Sequence, residues 1–278
     1  MTNENRMLGM IVPTVDNPFF ASLACEAEKY LSARQYGLLL CGSANSAERE
    51  KAYFHMLVDR GASGILCVSG LSALPDDLLP ENYPLVWLDR RPESGRAVPW
   101  VANDDAAATE LAADCLLEKG CKNILLLPGF LAEHQESPRV VGYRRALEKR
   151  GVRFREDCVL RRNGKRSTEA ETEELVRSLL RQGRSIDGII ASSDRSAFGA
   201  MAALRSVGLY VPEDVKLICF DNSPYSTMAT PALTTLDRNT DALAEKACEI
   251  LLRVINGDSG IDMETVVPVS LVQRDSTR

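Results

Sequence analysis

Short, continuous apolar runs recur along the chain and are separated by longer stretches of mixed polarity. Because apolar residues follow one another in these runs instead of alternating with polar ones, each run predicts a strand that is buried on both faces, as in a parallel sheet. The runs are residues 7–12, 37–41, 64–68, 84–89, 123–129, 187–192 and 216–221.

The stretches between several of these runs have the apolar spacing and the flanking residues of helices. Residues 46–60 begin at Ser46, a predicted N-cap, and residues 194–207 begin at Asp194 in the same predicted role. Residues 239–256 carry a further apolar stripe. Strands that alternate with helices predict βαβ units and a doubly wound α/β sheet. The runs are too many for one small sheet, so the pattern favours two similar lobes.

Polar side chains follow the predicted strands at their carboxyl ends, which is where open parallel α/β sheets bind ligands. Two lobes facing each other would gather these side chains into one cleft. A local role is the alternative for some of them, since Asp194 can act only as a helix cap and Asp221 only as a turn residue. The polar residues at strand ends are Asn17, Asp89, Arg90, Ser192, Ser193, Asp194, Asp221 and Asn222.

Composition narrows the class of protein. The formal net charge is −6, and no basic patch dominates, so the chain is not expected to grip nucleic acid by itself. The short basic cluster at residues 161–166 is typical of a solvated turn. The polar amino terminus lacks a signal-peptide core, and no apolar run reaches the roughly 20 residues needed to span a membrane. These features predict a cytoplasmic protein without a membrane partner.

Two further features bear on chemistry. The eight cysteines include no C-x-x-C pair and mostly lie in apolar runs, which predicts buried reduced thiols rather than disulfides or metal ligands. Motifs of a nucleophile elbow, a P-loop and a dinucleotide-binding loop are absent from the sequence. The two histidines, His55 and His134, have no evident nucleophile or metal partner. We therefore predict no catalytic residue, no metal and no cofactor, although doubly wound folds host many enzymes.

Several segments, taken in order, resemble the LacI/GalR transcription regulators and the related periplasmic sugar-binding proteins. They are LGMIVPTVDNPFF (8–20), PLVWLDR (84–90), RVVGYRRAL (139–147), residues 193–224, PALTTLDRN (231–239) and PVSLVQRDST (268–277). The resemblance implies a periplasmic binding protein-like type I fold, in which three crossover strands join two doubly wound parallel-sheet lobes. The implied lobes are 7–102 plus 239–267, and 103–238 plus 268–278.

The resemblance also implies a function. A regulator of this family closes its lobes on a small sugar-like effector and works as a symmetric homodimer. The carboxyl-terminal tail and the cytoplasmic character favour this branch over the alternative, a sugar-binding protein for transport. Family members carry a helix-turn-helix headpiece before the first strand, whereas only six residues precede Met7 here. Operator DNA is therefore expected to be bound only through a headpiece that this chain lacks.

The family pattern assigns ligand-binding roles to matching positions. In the first lobe the aromatic rings would stack on a sugar, Asn17 and Asp89 would bind its hydroxyls, and Arg90 would donate beside Asp89. In the second lobe Arg139 and Asp221 would bind hydroxyls next to Phe220. Core packing is the alternative for Phe20. The implied site residues are Asn17, Phe19, Phe20, Asp89, Arg90, Arg139, Arg166, Ser193, Phe220, Asp221 and Arg238.

Three of these positions depart from common family usage, namely Ser193, Arg238 and Arg166. Up to four guanidinium groups could then face two or three carboxylates. Because unpaired buried arginines are costly, one hypothesis is a negatively charged ligand, such as a sugar acid or a sugar phosphate. The alternative is that Arg238 pairs with Asp221 or Asp237 and that Arg166 faces solvent, which would leave a neutral sugar as the ligand.

Overall fold

The computed structural model describes residues 6–75, 77–129, 137–163 and 167–278. They form two compact units. The first runs through Asn103 and includes Asn239–Val267, and the second comprises Asp104–Arg238 with Pro268–Arg278. In chain order the elements are β1 (Met7–Val12), α1 (Pro18–Ser32), β2 (Gly37–Gly42), α2 (Ala47–Asp59), β3 (Ile65–Cys67), β4 (Leu85–Leu88), β5 (Trp100–Ala102), α3 (Asp105–Glu118), β6 (Ile124–Leu127), α4 (Pro138–Lys149), α5 (Thr168–Arg181), β7 (Gly188–Ala191), α6 (Asp194–Arg205), β8 (Lys216–Phe220), α7 (Pro224–Met228), β9 (Thr234–Asp237), α8 (Thr240–Ile255), β10 (Glu264–Val266) and β11 (Ser270–Val272).

The first unit is built on a parallel sheet with the strand order β10-β5-β4-β3-β1-β2. Helices cover both faces. Leu8 and Met10 of β1 pack on the side of α1 and α8, while Ile11 packs with Phe54 and Leu57 of α2 on the other side. Burial on both faces explains why the strand sequences are continuously apolar.

The second unit has the strand order β11-β9-β8-β7-β6, in which only β11 is antiparallel among the described strands. Ile190 and Phe220 pack on the side of α3 and α4, and Ile189 and Cys219 pack on the side of α5 and α6. The predicted α/β fold with doubly wound parallel sheets is confirmed.

The R-x-x-G-Y segment of α4 has a packing role at Gly142. A Cβ atom there would lie 2.0 Å from the carbonyl oxygen of Ala106 in α3, so only glycine lets the two helices approach this closely. The next residue, Tyr143, is buried, and its hydroxyl donates to the carbonyl of Ile124 at 2.7 Å. The segment thereby fixes α4 against both α3 and β6, which sets the position of Arg139 at the start of the same helix.

The carboxyl-terminal tail is inserted into the second sheet. The Ser276 hydroxyl donates to the carbonyl of Leu217 at 2.6 Å and accepts from the backbone N–H of Thr234 at 2.8 Å, so it links β8 to β9. The guanidinium of Arg274 donates to the carbonyl of Leu233 and to the Asn222 side chain, at 2.7 Å each. The tail is a structural part of the unit rather than a loose end.

The predicted N-cap of α2 is confirmed, because the Ser46 hydroxyl accepts from the backbone N–H of Arg49 at 3.2 Å. The predicted N-cap of α6 is wrong. Ser193 caps this helix by accepting from the N–H of Ser196 at 3.2 Å, and Asp194 is the first helical residue. Both residue types are good caps, and Asp194 is drawn inward because it meets buried donors there.

No helix within the described residues is both long enough and apolar enough to cross a membrane. All eight cysteines lie in the described part of the chain, and none of them is in a disulfide. Six are buried, Cys158 is half-buried and Cys25 is exposed. Burial raises the pKa of the Cys248 thiol to about 12 and that of Cys121 to about 11, which keeps both protonated at neutral pH.

Candidate functional site

A pair of left-handed residues ends β8 in the second unit. Asp221 has φ = +96° and Asn222 has φ = +51°, conformations that non-glycine residues adopt rarely. The Asp221 N–H donates to the carbonyl of Leu236 at 3.0 Å, and the Asn222 amide donates to the Asp237 carboxylate at 3.0 Å. The Arg274 guanidinium donates to the side-chain oxygen of Asn222. The turn that presents Asp221 is therefore held from two sides.

Four charged side chains of this unit form a continuous chain of alternating charge. In order they are Arg139, Asp105, Arg238 and Asp221. Nε of Arg139 donates to Oδ2 of Asp105 at 2.9 Å, and Nη2 of Arg238 lies 3.9 Å from the other oxygen of Asp105. Nη1 of Arg238 lies 3.8 Å from Oδ1 of Asp221. Three of the four residues are ligand-binding candidates from the sequence, and Asp105 joins them.

Arg139 is fixed by further contacts at the carboxyl ends of β6 and β7. Its Nη1 donates to the carbonyls of Pro128 and Ser192 at 3.3 Å each. Its guanidinium carbon lies 4.0 Å from the ring centre of Phe220, close enough for a cation–π interaction. The side chain therefore needs no induced fit to reach the end of β8, where Asp221 follows Phe220.

This chain of charges brings two guanidinium groups to two carboxylates. Arg238 pairs with Asp221 and Asp105, and its side chain is only 4% exposed. The Asp237 carboxylate accepts from the Asn222 amide. This pairing of Arg238 agrees with the alternative drawn from the sequence, in which Arg238 pairs with Asp221 or Asp237. Arg166, the other residue behind the hypothesis of an anionic ligand, lies outside the described residues, as does His134.

Ser193 and Asp194 follow β7 closely, and both are buried. The Ser193 hydroxyl is engaged as the N-cap of α6. The Asp194 carboxylate accepts from the Ser226 hydroxyl at 2.6 Å, from the Cys219 thiol at 3.1 Å and from the Ser223 N–H at 3.3 Å. Asp194 thus ties the loop after β8 to α6. A direct ligand-binding role for Ser193 stays a prediction.

In the first unit, Asp89 and Arg90 directly follow β4, as expected. Asp89 has φ = +63°, so this strand also ends on a left-handed aspartate. Nε of Arg90 lies 4.0 Å from Oδ2 of Asp89, and the Arg90 guanidinium lies 5.9 Å from the centre of the Phe20 ring. Asp89, Arg90 and Phe20 are thereby brought together.

Asn17, Phe19 and Phe20 lie at the amino end of α1. The Asn17 side-chain oxygen accepts from the Phe19 N–H at 3.0 Å, so Asn17 is the N-cap of the helix. Both rings belong to the buried core and meet edge to face at 5.2 Å, with Phe19 only 2% exposed. Core packing therefore accounts for Phe19, and contact of either ring with a ligand stays a prediction.

Two carboxylates were missed by the sequence reasoning: Asp105, whose side chain is one-quarter exposed, and Glu50, which is buried. Asp105 owes its role to the packing of α3 on α4, which no local pattern reveals. Glu50 accepts from the Ser69 hydroxyl, from the Gly70 N–H at 2.8 Å and from the Cys67 thiol at 3.8 Å, and burial raises its pKa. A signal for Glu50 exists, since it precedes Phe54 by four positions on the buried face of α2.

Glu50 and Asp194 accept hydrogen bonds from similar sets of donors in their two units. Each carboxylate accepts from a thiol of a central strand, from a serine hydroxyl and from a backbone N–H of the loop that follows the strand. The strand thiols are those of Cys67 in β3 and Cys219 in β8. Among the described residues no cluster of histidine, cysteine and carboxylate side chains could hold a metal ion.

Residues 113–277 match the model of a family described as a periplasmic binding protein-like domain. The ribose operon repressor of Halalkalibacterium halodurans is 30% identical over 273 residues, which span 98% of this chain and 80% of the repressor. A LacI family transcriptional regulator from Enterococcus faecium, solved with bound ribose, is 25% identical, with a TM-score of 0.82 over 98% of each chain. A periplasmic binding protein/LacI transcriptional regulator from Alkaliphilus metalliredigens, solved with D-xylulofuranose, is 26% identical, with a TM-score of 0.83 over 98% of this chain and 99% of that one.

Two doubly wound units with polar strand ends define a ligand-binding module of the periplasmic binding protein class. The chain belongs to the periplasmic binding protein-like domain family, in its LacI-type branch of transcription regulators. The relatives are regulators rather than enzymes, and a role in transport is not favoured.

Proposed function

We propose that the chain senses a neutral sugar of the pentose class for a transcription regulator and performs no catalysis on it. The observation that carries this proposal is the chain of alternating charge formed by Arg139, Asp105, Arg238 and Asp221, in which each carboxylate lies beside an arginine. Paired carboxylates retain lone pairs that accept sugar hydroxyls, and charge-assisted hydrogen bonds are about twice as strong as neutral ones. An anionic ligand would instead have to displace these carboxylates from their arginines.

The ligands of two relatives also support a neutral pentose as the ligand. Ribose and D-xylulofuranose are uncharged pentoses, and each occupies a regulator that shares this fold at a TM-score above 0.8. A pentose presents several hydroxyls in a small volume, which suits a short array of charged groups next to an aromatic ring.

A ligand panel tests the proposal directly. D-ribose, D-xylulose, ribonate and ribose 5-phosphate are compared by thermal shift and calorimetry. We expect a neutral pentose to raise the melting temperature, since a ligand at one hundred times its Kd stabilises the folded state by about 2.7 kcal/mol. A shift only with ribonate or the phosphate would contradict the neutral class, and silence across the panel would contradict the sugar proposal. Bound sugar should be recovered unchanged, in keeping with the absence of catalysis.

Substitution of Asp221 is expected to weaken pentose binding strongly. Asp221→Asn keeps the size of the side chain but removes the charged acceptor, and hydrogen bonds to charged groups contribute about 1.5–3 kcal/mol, or roughly 10- to 150-fold in Kd. Calorimetry with D-ribose measures the change. The matched control is Asp258→Asn, a half-exposed partner of Arg253 on the surface of the first unit, which should leave Kd unchanged.

We also propose that the protein works as a homodimer through the apolar surface around α7. Met228 is 76% exposed and Tyr225 is 49% exposed, and Tyr210 adds a third exposed apolar side chain of the same unit. Large exposed apolar side chains are candidates for interaction sites on soluble proteins when they lie close together, as Tyr225 and Met228 do on α7. The family resemblance independently implies a symmetric pair of chains.

Sedimentation velocity tests the dimer. Met228→Asp places a charge on the proposed contact and should convert a dimer into monomers without a change in melting behaviour at low concentration. Leu111→Asp, which substitutes an exposed leucine on α3, is the control and should leave the dimer intact. A wild-type chain that sediments as a monomer at micromolar concentration would contradict the proposal.

A further inference from the structure

We propose that Trp100 is a positioning residue for the ligand site, because it holds Asp89 in a strained left-handed turn at the end of β4. The inference rests on the proposed sugar-binding function. The first part of the inference, that Trp100 holds the turn, can be tested in the protein without any ligand.

The turn is unusually tight. The N–H of Arg90 donates to the carbonyl of Leu88 at 2.7 Å, which closes a three-residue turn around Asp89. With φ = +63° at its centre, this is the rare form of the γ-turn, which is strained for a residue with a side chain. Such a conformation is unfavourable for a residue with a side chain and persists only where the surroundings enforce it.

The main chain around Asp89 accounts for part of this enforcement. The Asp89 N–H donates to the carbonyl of Val101 at 2.8 Å, which continues the pairing of β4 with β5. The Ser69 N–H donates to the carbonyl of Arg90 at 3.3 Å, which ties the far side of the turn to the loop after β3. These two bonds anchor the chain before and after the strained residue.

The Trp100 indole forms a hydrogen bond with the strained peptide group itself. Its Nε1–H donates to the carbonyl oxygen of Asp89 at 3.2 Å. This carbonyl belongs to the peptide group that must rotate if Asp89 relaxes to an ordinary backbone conformation. The indole therefore favours the left-handed state over the relaxed one, which is the property that defines a positioning residue here.

Trp100 is itself fixed on both sides. Its backbone is the first residue of β5, where it pairs with Trp87 of β4 and Glu264 of β10. The guanidinium of Arg91 lies 4.0 Å from the centre of its ring, in cation–π geometry. Residues 89–91 thus fold back over Trp100, so the turn and its clamp form one local unit.

The consequence for binding is pre-organisation. Asp89 and Arg90 are two of the candidate ligand residues of this unit, and the turn fixes their backbones before a sugar arrives. A ligand that meets a fixed carboxylate does not have to supply the free energy of ordering it. Loss of the indole donor should therefore reduce sugar affinity even though Trp100 has no assigned contact with the sugar.

The test uses Trp100→Phe, which removes the N–H donor but keeps a ring beneath Arg91. Tyr83→Phe is the matched control, because it also removes a donor to a backbone carbonyl, that of Ala62, in the same unit. Amide hydrogen exchange is measured first in the ligand-free proteins. We expect the Arg90 amide to exchange about threefold to tenfold faster in Trp100→Phe, the range for loss of one net hydrogen bond, and to be unchanged in Tyr83→Phe.

Calorimetry with D-ribose supplies the second readout. We expect Trp100→Phe to raise Kd about threefold to tenfold and to have no further effect in an Asp89→Asn background, because coupled residues are not additive. Unchanged Arg90 exchange would overturn the inference, as would an unchanged Kd in Trp100→Phe or fully additive effects with Asp89→Asn. If the wild type binds no pentose, the proposed function fails and the exchange measurement alone decides the role of Trp100 in the turn.

Discussion

A chain that ends at Gln273 should lose the cooperative fold of the second unit. The deletion removes the Ser276 hydroxyl from between the Leu217 carbonyl and the Thr234 N–H, and it removes the Arg274 guanidinium from Leu233 and Asn222. Each lost bond leaves a partly or fully buried polar group unsatisfied, at about 1–3 kcal/mol apiece. The sum approaches the 5–15 kcal/mol that is the whole stability of a typical domain.

Calorimetric unfolding and hydrogen exchange in β8 and β9 measure this effect. Removal of Arg278 alone is the control, because its side chain is largely exposed and its contacts with Asp275 and Lys216 lie at the surface. The truncated chain should lack the cooperative transition of the second unit while the control melts normally. A melting temperature within a few degrees of the wild type would show that the tail is dispensable.

Arg139→Ala should both destabilise the second unit and abolish sugar binding. The substitution removes the hydrogen bond from Arg139 to the Asp105 carboxylate, uncovers the Phe220 ring and removes a donor from the carbonyls of Pro128 and Ser192. Breaking a buried ion pair costs about 3–5 kcal/mol, and because Asp105 is one-quarter exposed we expect about 2–3 kcal/mol here. The loss of D-ribose affinity should exceed roughly 100-fold, since the chain of alternating charge loses its first member.

Denaturant unfolding and calorimetry follow the two effects separately. Arg139→Lys restores the charge without the planar fork, so it should recover part of the stability and little of the affinity. Arg150→Ala, at the residue that caps the carboxyl end of α4, is the matched control, since its pairs with Asp114 and Glu118 lie at the surface and should contribute less than about 1 kcal/mol. Equal losses for Arg139→Ala and Arg150→Ala would refute the central place of Arg139.

The strands were predictable where both faces are buried. The apolar runs 7–12 and 216–221 became β1 and β8 to within one residue, because continuous burial imposes a continuous apolar sequence. The strands β10 and β11 carry no such signal. Their three residues each lie at sheet edges and are partly exposed, so their existence depends on neighbours that are distant in sequence.

The sequence predicted many of the residues of the candidate site, but it did not predict which side chains contact one another there. Asp89, Asp221 and Arg139 stand at strand ends or a helix start, where local sequence and family resemblance both point. The role of Asp105 depends on a helix contact made possible by Gly142, and no periodicity encodes that contact. The choice between Ser193 and Asp194 as a cap was equally hidden, because it depends on which of the two meets buried donors from another loop.

The helix α8 gives this protein a vulnerable period during its synthesis. The helix α8 completes the apolar layer of the first unit beside α1, through Leu243, Ala247 and Leu251. The rest of that unit, apart from the segment 239–267, precedes Asp104 in the sequence. A ribosome adds about 5–20 residues per second, so roughly 7–30 s pass between the emergence of Asn103 and that of α8. Throughout this interval the nascent chain exposes the part of the apolar sheet face that α8 later covers beside α1. Holding chaperones should therefore engage the first unit for longer than its length alone requires.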